Sequence, residues 1–332
     1  MRILIVGCGS IGARHARNTA PLADIAICDT DVQKVQVLAK ELDCGAYTDF
    51  QEALSTKPDG VIIALPNKHH YSAAKAALET GAYVLVEKPL CHTLDDAREL
   101  VKLGRDRLRV VSNMRFHEAV LALKAGLQHI GKPLFARAHF GNYLPSMRPH
   151  VDYRTLYVAK REDGGGALID CIHELDYLAH LFGPPKAISA TLSHLSDLEI
   201  ETEDYAALNI LYGSGFRSEI HLDYLQQFKQ RGCEVIGTEG TVIWRSMGKA
   251  PEHCKVEYYT AQSGAWHTLL DTQALDLNAC YVELVKAFMD VITGKGSPIL
   301  STAQEGLDVL ESVFAAYRSA EEGGTIPLPL SS

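Results

Sequence analysis

Apolar positions follow two different rhythms along this chain. Up to about residue 115, short apolar runs alternate with stretches of helical spacing. Residues 3–6, 25–28, 61–65 and 82–86 read as strands, and their runs are continuous, as strands covered on both faces require. A further strand is expected over 109–112. Between them, Val32, Val35, Leu38, Ala39 and Leu42 recur at three- and four-residue intervals, which predicts a helix over 31–42. Helices are also expected from about Ile11 to just before Pro21 and over 71–80, where Gly81 stops the helix. Another follows Thr93, whose hydroxyl can cap a first turn containing Asp95 and Asp96. Strand and helix in alternation specify an α/β class with a parallel, doubly wound sheet.

After about residue 118 the rhythm changes. One helix is expected over 118–130, ended by Gly131-Lys132-Pro133. Residues 135–140, 187–195, 205–212, 216–225, 234–236, 241–244 and 255–260 then alternate apolar with polar, as half-buried antiparallel strands do. Helices over 278–293 and 302–320 close the chain. The expected organisation is a nucleotide-binding domain over 1–118 and an α+β domain over 119–332 with a large, mostly antiparallel open sheet. Strands longer than one helical layer can cover predict a homodimer or homotetramer formed through that sheet.

Composition narrows the function. The net charge is −9, whereas a nucleic-acid partner calls for a basic surplus. The apolar run from Met1 to Val6 is far too short for a membrane span or a secretory core, and no later run reaches about 18 apolar residues. Eight cysteines are scattered without a C-x-x-C pair, which predicts reduced thiols and a cytoplasmic protein. Histidines and cysteines show no metal-ligand spacing, so no metal is expected.

Chemistry enters at Gly7-Cys8-Gly9-Ser10-Ile11-Gly12. This G-x-G-x-x-G follows a strand and opens a helix, the context in which glycines let the backbone approach a pyrophosphate and the helix N-terminus supplies free N–H groups. The first domain is therefore expected to be of the Rossmann type, with Gly7, Gly9, Ser10, Ile11 and Gly12 at the cofactor. Asp29 ends the second strand, where a carboxylate accepts hydrogen bonds from the adenosine ribose diol. A 2′-phosphate would meet like charge there, and Thr30 and Asp31 offer no cation. NAD is expected rather than NADP.

Two further stretches carry a resemblance. In the first, Leu65-Pro66-Asn67-Lys68-His69-His70 leads through 73–81 to Val84-Leu85-Val86-Glu87-Lys88-Pro89. In the second, Gly164-Gly165-Gly166 precedes Asp170, His173, Asp176 and Leu181-Phe182-Gly183. With the glycine loop and Gly237-Thr238-Glu239-Gly240-Thr241, they resemble the Gfo/Idh/MocA oxidoreductases, which include glucose–fructose oxidoreductase and inositol dehydrogenases. The resemblance spans the whole chain. It implies cofactor contacts at Pro66, Asn67, His70, Glu87 and Lys88, and a role near cofactor and substrate for Asn113-Met114-Arg115-Phe116, hence for Arg115. It also implies catalysis and substrate contact at Lys88, Asp170 and His173. One departure stands out. Inositol dehydrogenases space the aspartate and histidine four apart, whereas Asp170 and His173 are three apart.

Elementary chemistry agrees with those roles. Lys88 sits at the carboxyl end of a parallel strand, where open α/β sheets bind ligands, and Pro89 keeps it from helical geometry. An ammonium there can stabilise an alkoxide as it forms. Histidine is suited to taking a hydroxyl proton near neutral pH, and a carboxylate three residues away shares its face if the segment is helical. From Arg137 to Arg161 cations outnumber carboxylates, and Tyr143, Arg154 and Tyr157 are expected to cap a sugar, sugar acid or cyclitol, with Arg154 on an acidic group.

The expected activity is NAD-dependent hydride transfer to or from a secondary hydroxyl or keto group of such a substrate. Alternatives are an NAD-retaining, sugar-cleaving enzyme and a non-catalytic NAD-binding regulator. The joint presence of Lys88, Asp170 and His173 argues against the last.

Overall fold

A computed structural model describes residues 1–248 and 252–330. Strands β1 (Arg2–Val6), β2 (Asp24–Cys28), β3 (Gly45–Tyr47), β4 (Gly60–Ile63), β5 (Tyr83–Val86) and β6 (Leu108–Val110) alternate with helices α1 (Ser10–Thr19), α2 (Val32–Leu42), α3 (Phe50–Ser55), α4 (His70–Glu79) and α5 (Leu94–Gly104). Helix α6 (Glu118–Gly126) leads to β7 (Pro133–Gly141), then to α7 (Leu144–Met147), α8 (Ala167–Asp170) and α9 (His173–Phe182). A run of strands follows: β8 (Pro185–Ser193), β9 (Tyr205–Tyr212), β10 (Arg217–Asp223), β11 (Gln230–Gly237), β12 (Gly240–Met247), β13 (Glu252–Thr260) and β14 (Ala265–Leu275). The last elements are α10 (Ala279–Ile292), β15 (Ser301–Thr302), α11 (Ala303–Glu322) and β16 (Ile326–Pro327).

The chain divides into two units. One comprises Met1–Phe116 with Asn278–Leu310, the other His117–Leu277 with the chain from Glu311 onward. The first holds a sheet in the order β15-β6-β5-β4-β1-β2-β3, parallel but for β15. The chain builds outward from β1 through β2 to β3, then returns to β4 on the other side. The carboxyl ends of β1 and β4 thus flank the switch point where doubly wound sheets take ligands. Ile3, Ile5, Ile25, Ile27, Ile62 and Leu85 are all buried, which explains their unbroken apolar runs. Helix starts follow the capping chemistry: the Thr93 hydroxyl accepts from Asp96 N–H at 3.2 Å, and the Asp31 carboxylate from Gln33 and Lys34.

Segment 278–310 differs from the expected boundary at 118, because α10 lies over the first sheet. Its Leu284, Phe288 and Val291 share a core with β1 and β2. A Cβ on Gly60 would stand 2.7 Å from Ile292 Cδ1, so the glycine makes room for that helix. Asn18 on α1 and Asn278 exchange two amide hydrogen bonds at 3.1 and 2.9 Å.

The second unit holds a nine-stranded sheet in the order β14-β13-β12-β11-β7-β10-β9-β8-β16. Only β7 and β10 pair in parallel. Strand β10 alternates as expected: Ser218, Ile220 and Leu222 are buried while Arg217 and Glu219 are exposed. Helix α6 stops earlier than the expected 130 and continues as a single tighter turn, Leu127–His129. Among the described residues no helix is long and apolar enough to cross a membrane.

Candidate active site

The nucleotide half is built at the carboxyl ends of β1, β2, β4 and β5. Three glycines between β1 and α1 answer three different demands. Gly7 has φ +96°, and a Cβ there would stand 2.4 Å from the Ala64 carbonyl oxygen. A Cβ on Gly12 would lie 1.8 Å from the Gly7 carbonyl oxygen, so α1 closes on β1 only without one. A Cβ on Gly9 would meet nothing within 4 Å, which leaves an open approach to the backbone. Gly9 caps α1 without a side-chain acceptor, so Ser10, Ile11 and their neighbours present the positive end of the helix to whatever binds there.

Asp29 is half-buried at the end of β2. Its Oδ2 accepts the Cys8 N–H at 2.6 Å and its Oδ1 the Asp31 N–H at 2.9 Å, which ties β2 to the glycine loop. A carboxylate has about four acceptor sites, so capacity for a diol remains. Open loop, uncapped helix and adjacent carboxylate together fit a dinucleotide.

Pro66 and Asn67 form the turn after β4, exposed and half-buried respectively. His70 and Glu87, expected against the cofactor, are both buried and hydrogen-bonded to neighbouring groups. The His70 ring has Nδ1 2.8 Å from the Pro89 carbonyl oxygen and Nε2 2.8 Å from that of Leu65. Burial pulls its pKa below the ordinary histidine value, opposed by those carbonyls and by the charge of Glu87. Glu87 Oε1 lies 2.8 Å from His15 Nε2, and its Oε2 accepts the Lys88 N–H at 3.3 Å. Lys88 itself is half-buried.

Arg115, expected near the substrate, is buried and paired. Only 1% of its surface is exposed, and its Nη1 donates to Glu305 Oε1 at 2.8 Å within the first unit.

The residues expected at the substrate belong to the other unit. Gly166 has φ +122°, and a Cβ there would lie 2.3 Å from Glu203 Oε1. The same carboxylate accepts the Leu168 N–H at 3.0 Å and so holds the start of α8. Asp170 ends α8, and His173 begins α9 after Cys171 and Ile172. The pair is therefore not on one continuous helix, contrary to the condition under which a three-residue spacing shares a face. Both side chains are half-buried. The Tyr157 hydroxyl donates to Asp170 Oδ1, which places the two side chains in one cluster. Tyr143 is half-buried just before α7.

Arg154 is committed elsewhere. Its guanidinium pairs with Asp152 at 2.8 Å and with Glu199 at 2.6 Å. Arg161 donates to the Glu201 carbonyl at 3.2 Å. The cationic surplus of 137–161 is thus answered at Arg154 by a carboxylate from beyond that window.

Sequence reasoning missed two buried ionisable residues beside these groups. His15 lies on the inner face of α1, where a lone polar residue beside Ala16 was the available signal. Glu174, fully buried next to His173, pairs with Arg231 on β11 at 2.8 Å. Nothing local marks that partner.

Residues 1–114 match the family described as oxidoreductase family, NAD-binding Rossmann fold, and residues 122–243 match the GFO/IDH/MocA C-terminal domain. A 1,5-anhydro-D-fructose reductase from Ensifer adhaerens is 29% identical over 90% of this chain and 89% of its own. A D-glucoside 3-dehydrogenase from Escherichia coli K12 is 25% identical over 99% and 97%. The crystal structure of an oxidoreductase from Agrobacterium radiobacter in complex with NAD+, L-tartaric acid and magnesium superposes with a TM-score of 0.83 over 98% of both chains. At 19% identity, that likeness speaks for the fold.

Proposed function

Since the chain belongs to the Gfo/Idh/MocA oxidoreductase family and is an NAD-dependent oxidoreductase of CH–OH groups in sugars or cyclitols, we propose that Lys88 and His173 handle the substrate oxygen and its proton. The relatives' dehydrogenase and reductase names favour net hydride transfer over the sugar-cleaving and regulatory alternatives.

Bound NAD supplies the hydride acceptor in oxidation and NADH the donor in reduction. The residues proposed to hold it are Gly7, Gly9, Ser10, Ile11 and Gly12 at the pyrophosphate, Asp29 at the ribose, and the Pro66–Asn67 turn. His173 takes the hydroxyl proton during oxidation and returns it during reduction. The Lys88 ammonium donates to the oxygen while negative charge builds on it. Asp170, held by Tyr157, orients the substrate or the His173 imidazole, with Tyr143 beside the substrate. The observation that carries this reading is Lys88 at the end of β5, its backbone N–H fixed by the buried Glu87.

We place the protein in the cytoplasm, a reading supported by the free thiols of all eight cysteines. A panel of sugars, uronates, amino sugars and cyclitols with NAD, read by absorbance of the reduced cofactor, identifies the substrate. On that substrate Lys88→Met and His173→Ala are each expected to lower kcat by roughly 100-fold or more while NAD affinity, measured by protein fluorescence, stays within a few-fold. Near wild-type kcat in either variant removes that residue from its role.

A further inference from the structure

His15 and His70 are both fully buried in the first unit, and neither ring has a role in the chemistry assigned above. They converge on one short stretch of backbone. Besides the backbone bond from Glu87 N–H to the Ile63 carbonyl at 2.9 Å, residues 87–89 have three contacts that involve side chains: His15 Nε2 to Glu87 Oε1 at 2.8 Å, Lys88 N–H to Glu87 Oε2 at 3.3 Å, and His70 Nδ1 to the Pro89 carbonyl at 2.8 Å. The second nitrogen of His70 reaches the Leu65 carbonyl at 2.8 Å.

The origin of each ring is as informative as its target. His15 rides on α1, three residues after the glycine loop. His70 opens α4, directly after the Pro66–Asn67 turn. Each therefore connects one of the two nucleotide turns to the lysine segment. Packing alone does not account for them. His15 Nδ1 is buried with no hydrogen-bond partner, and burying an unmet polar atom costs stability that a leucine or phenylalanine would spare. His70 presents both nitrogens to carbonyl oxygens, so the neutral ring can serve only one of them at a time. A residue kept at such a cost is doing something that shape does not require.

We propose that His15 and His70 are positioning residues, a brace that holds the Lys88 backbone at a fixed place between the glycine loop and the Pro66–Asn67 turn. The brace acts on the reaction through Lys88, so it rests on the assignment of Lys88 as the donor to the substrate oxygen. An ammonium displaced by a fraction of an ångström loses much of its preference for the charged transition state, whereas cofactor binding to the loops is largely kept.

The test is a pair of double-mutant cycles on the full-length enzyme. His70→Asn and His15→Phe are each made alone and in a Lys88→Met background. For every protein kcat on the substrate found in the panel, NAD affinity and the thermal midpoint are measured. Each single change is expected to lower kcat by about 10-fold or more with NAD affinity within about threefold, and to lower it no further once Lys88 is gone. A general structural defect would instead multiply with the Lys88→Met effect, and that additivity, or a normal kcat in both single variants, overturns the brace. His70→Gln and His15→Gln keep one donor each; they serve if the first variants do not fold, and partial recovery of kcat by them is expected. A Lys88→Met enzyme with full activity is a separate result, which sinks the Lys88 assignment itself.

Discussion

Asp29 already gives one lone pair on each oxygen to backbone N–H groups, so its carboxylate is fixed before any ligand arrives. Nearby Lys34 pairs with Asp31 at 3.2 Å. Asp29→Ala is expected to weaken NAD by a few tenths to about 2 kcal/mol through lost hydrogen bonds and to raise the relative kcat/KM for NADP. Steady-state kinetics with both cofactors check this, and a wild-type preference for NADP contradicts it. Asp29 and the glycines were legible because their partners are the neighbouring turn and strand. The partners of Arg115 and Arg154 were not, because Glu305 and Glu199 lie 190 and 45 residues away. A cation reads as available for substrate until the fold delivers its carboxylate.

Helix α9 presents His173 from its first residue, and the next residue, Glu174, is pinned under it. Arg231 from β11 meets that carboxylate at 2.8 Å and stacks over Phe140 at 4.3 Å from the ring centre. Burial pushes the Glu174 carboxyl above the ordinary range, and Arg231 opposes this. Arg231→Met leaves the carboxyl without its partner and is expected to cost about 3–5 kcal/mol, whereas Glu174→Leu with Arg231→Met together recover most of it. Urea unfolding of the two proteins measures the difference; a double variant no more stable than the single would show that the pair does not anchor α9. Elements whose faces are uniformly buried were readable from spacing alone. Strand β14 was not, since nearly all of it is exposed and no alternation marks it. The three-residue β3 has no buried position. At the end of α6 a Cβ on Gly126 would stand 2.6 Å from Val242 Cγ2, a closeness that spacing does not announce.

For the whole molecule, the large sheet has helices α6, α8 and α9 packed against some of its strands, and the face that carries Arg137 mixes charged pairs with partly exposed apolar side chains such as Phe135, Leu211 and Ile243. There Arg137 pairs with Glu219 at 3.2 Å and Glu234 at 3.8 Å, and His221 with Asp223 at 2.8 Å. Association through this face would combine apolar burial with charge pairing, and only the second part would weaken with salt. A dimer or tetramer remains our expectation. Light scattering at micromolar protein should give a mass above 36.3 kDa, and a monomer mass in low salt removes it. The class of both units was legible because each keeps one hydrophobic rhythm for a hundred residues or so. The return of 278–310 to the first unit was not, since an amphipathic helix does not declare which sheet it will cover.

That return sets a timetable for synthesis. Helix α10 leaves the ribosome about 160 residues after the six parallel strands of the sheet it covers, a delay of roughly 8–30 s at about 5–20 residues per second. Through that interval the apolar surface around Ile3, Gly60 and Leu85 has no α10 over it, although the G-x-G-x-x-G turn has long been made. A message truncated anywhere before α10 is therefore expected to yield a nucleotide-binding unit that lacks Leu284, Phe288 and Val291 from its core and is more open to proteases than the full chain.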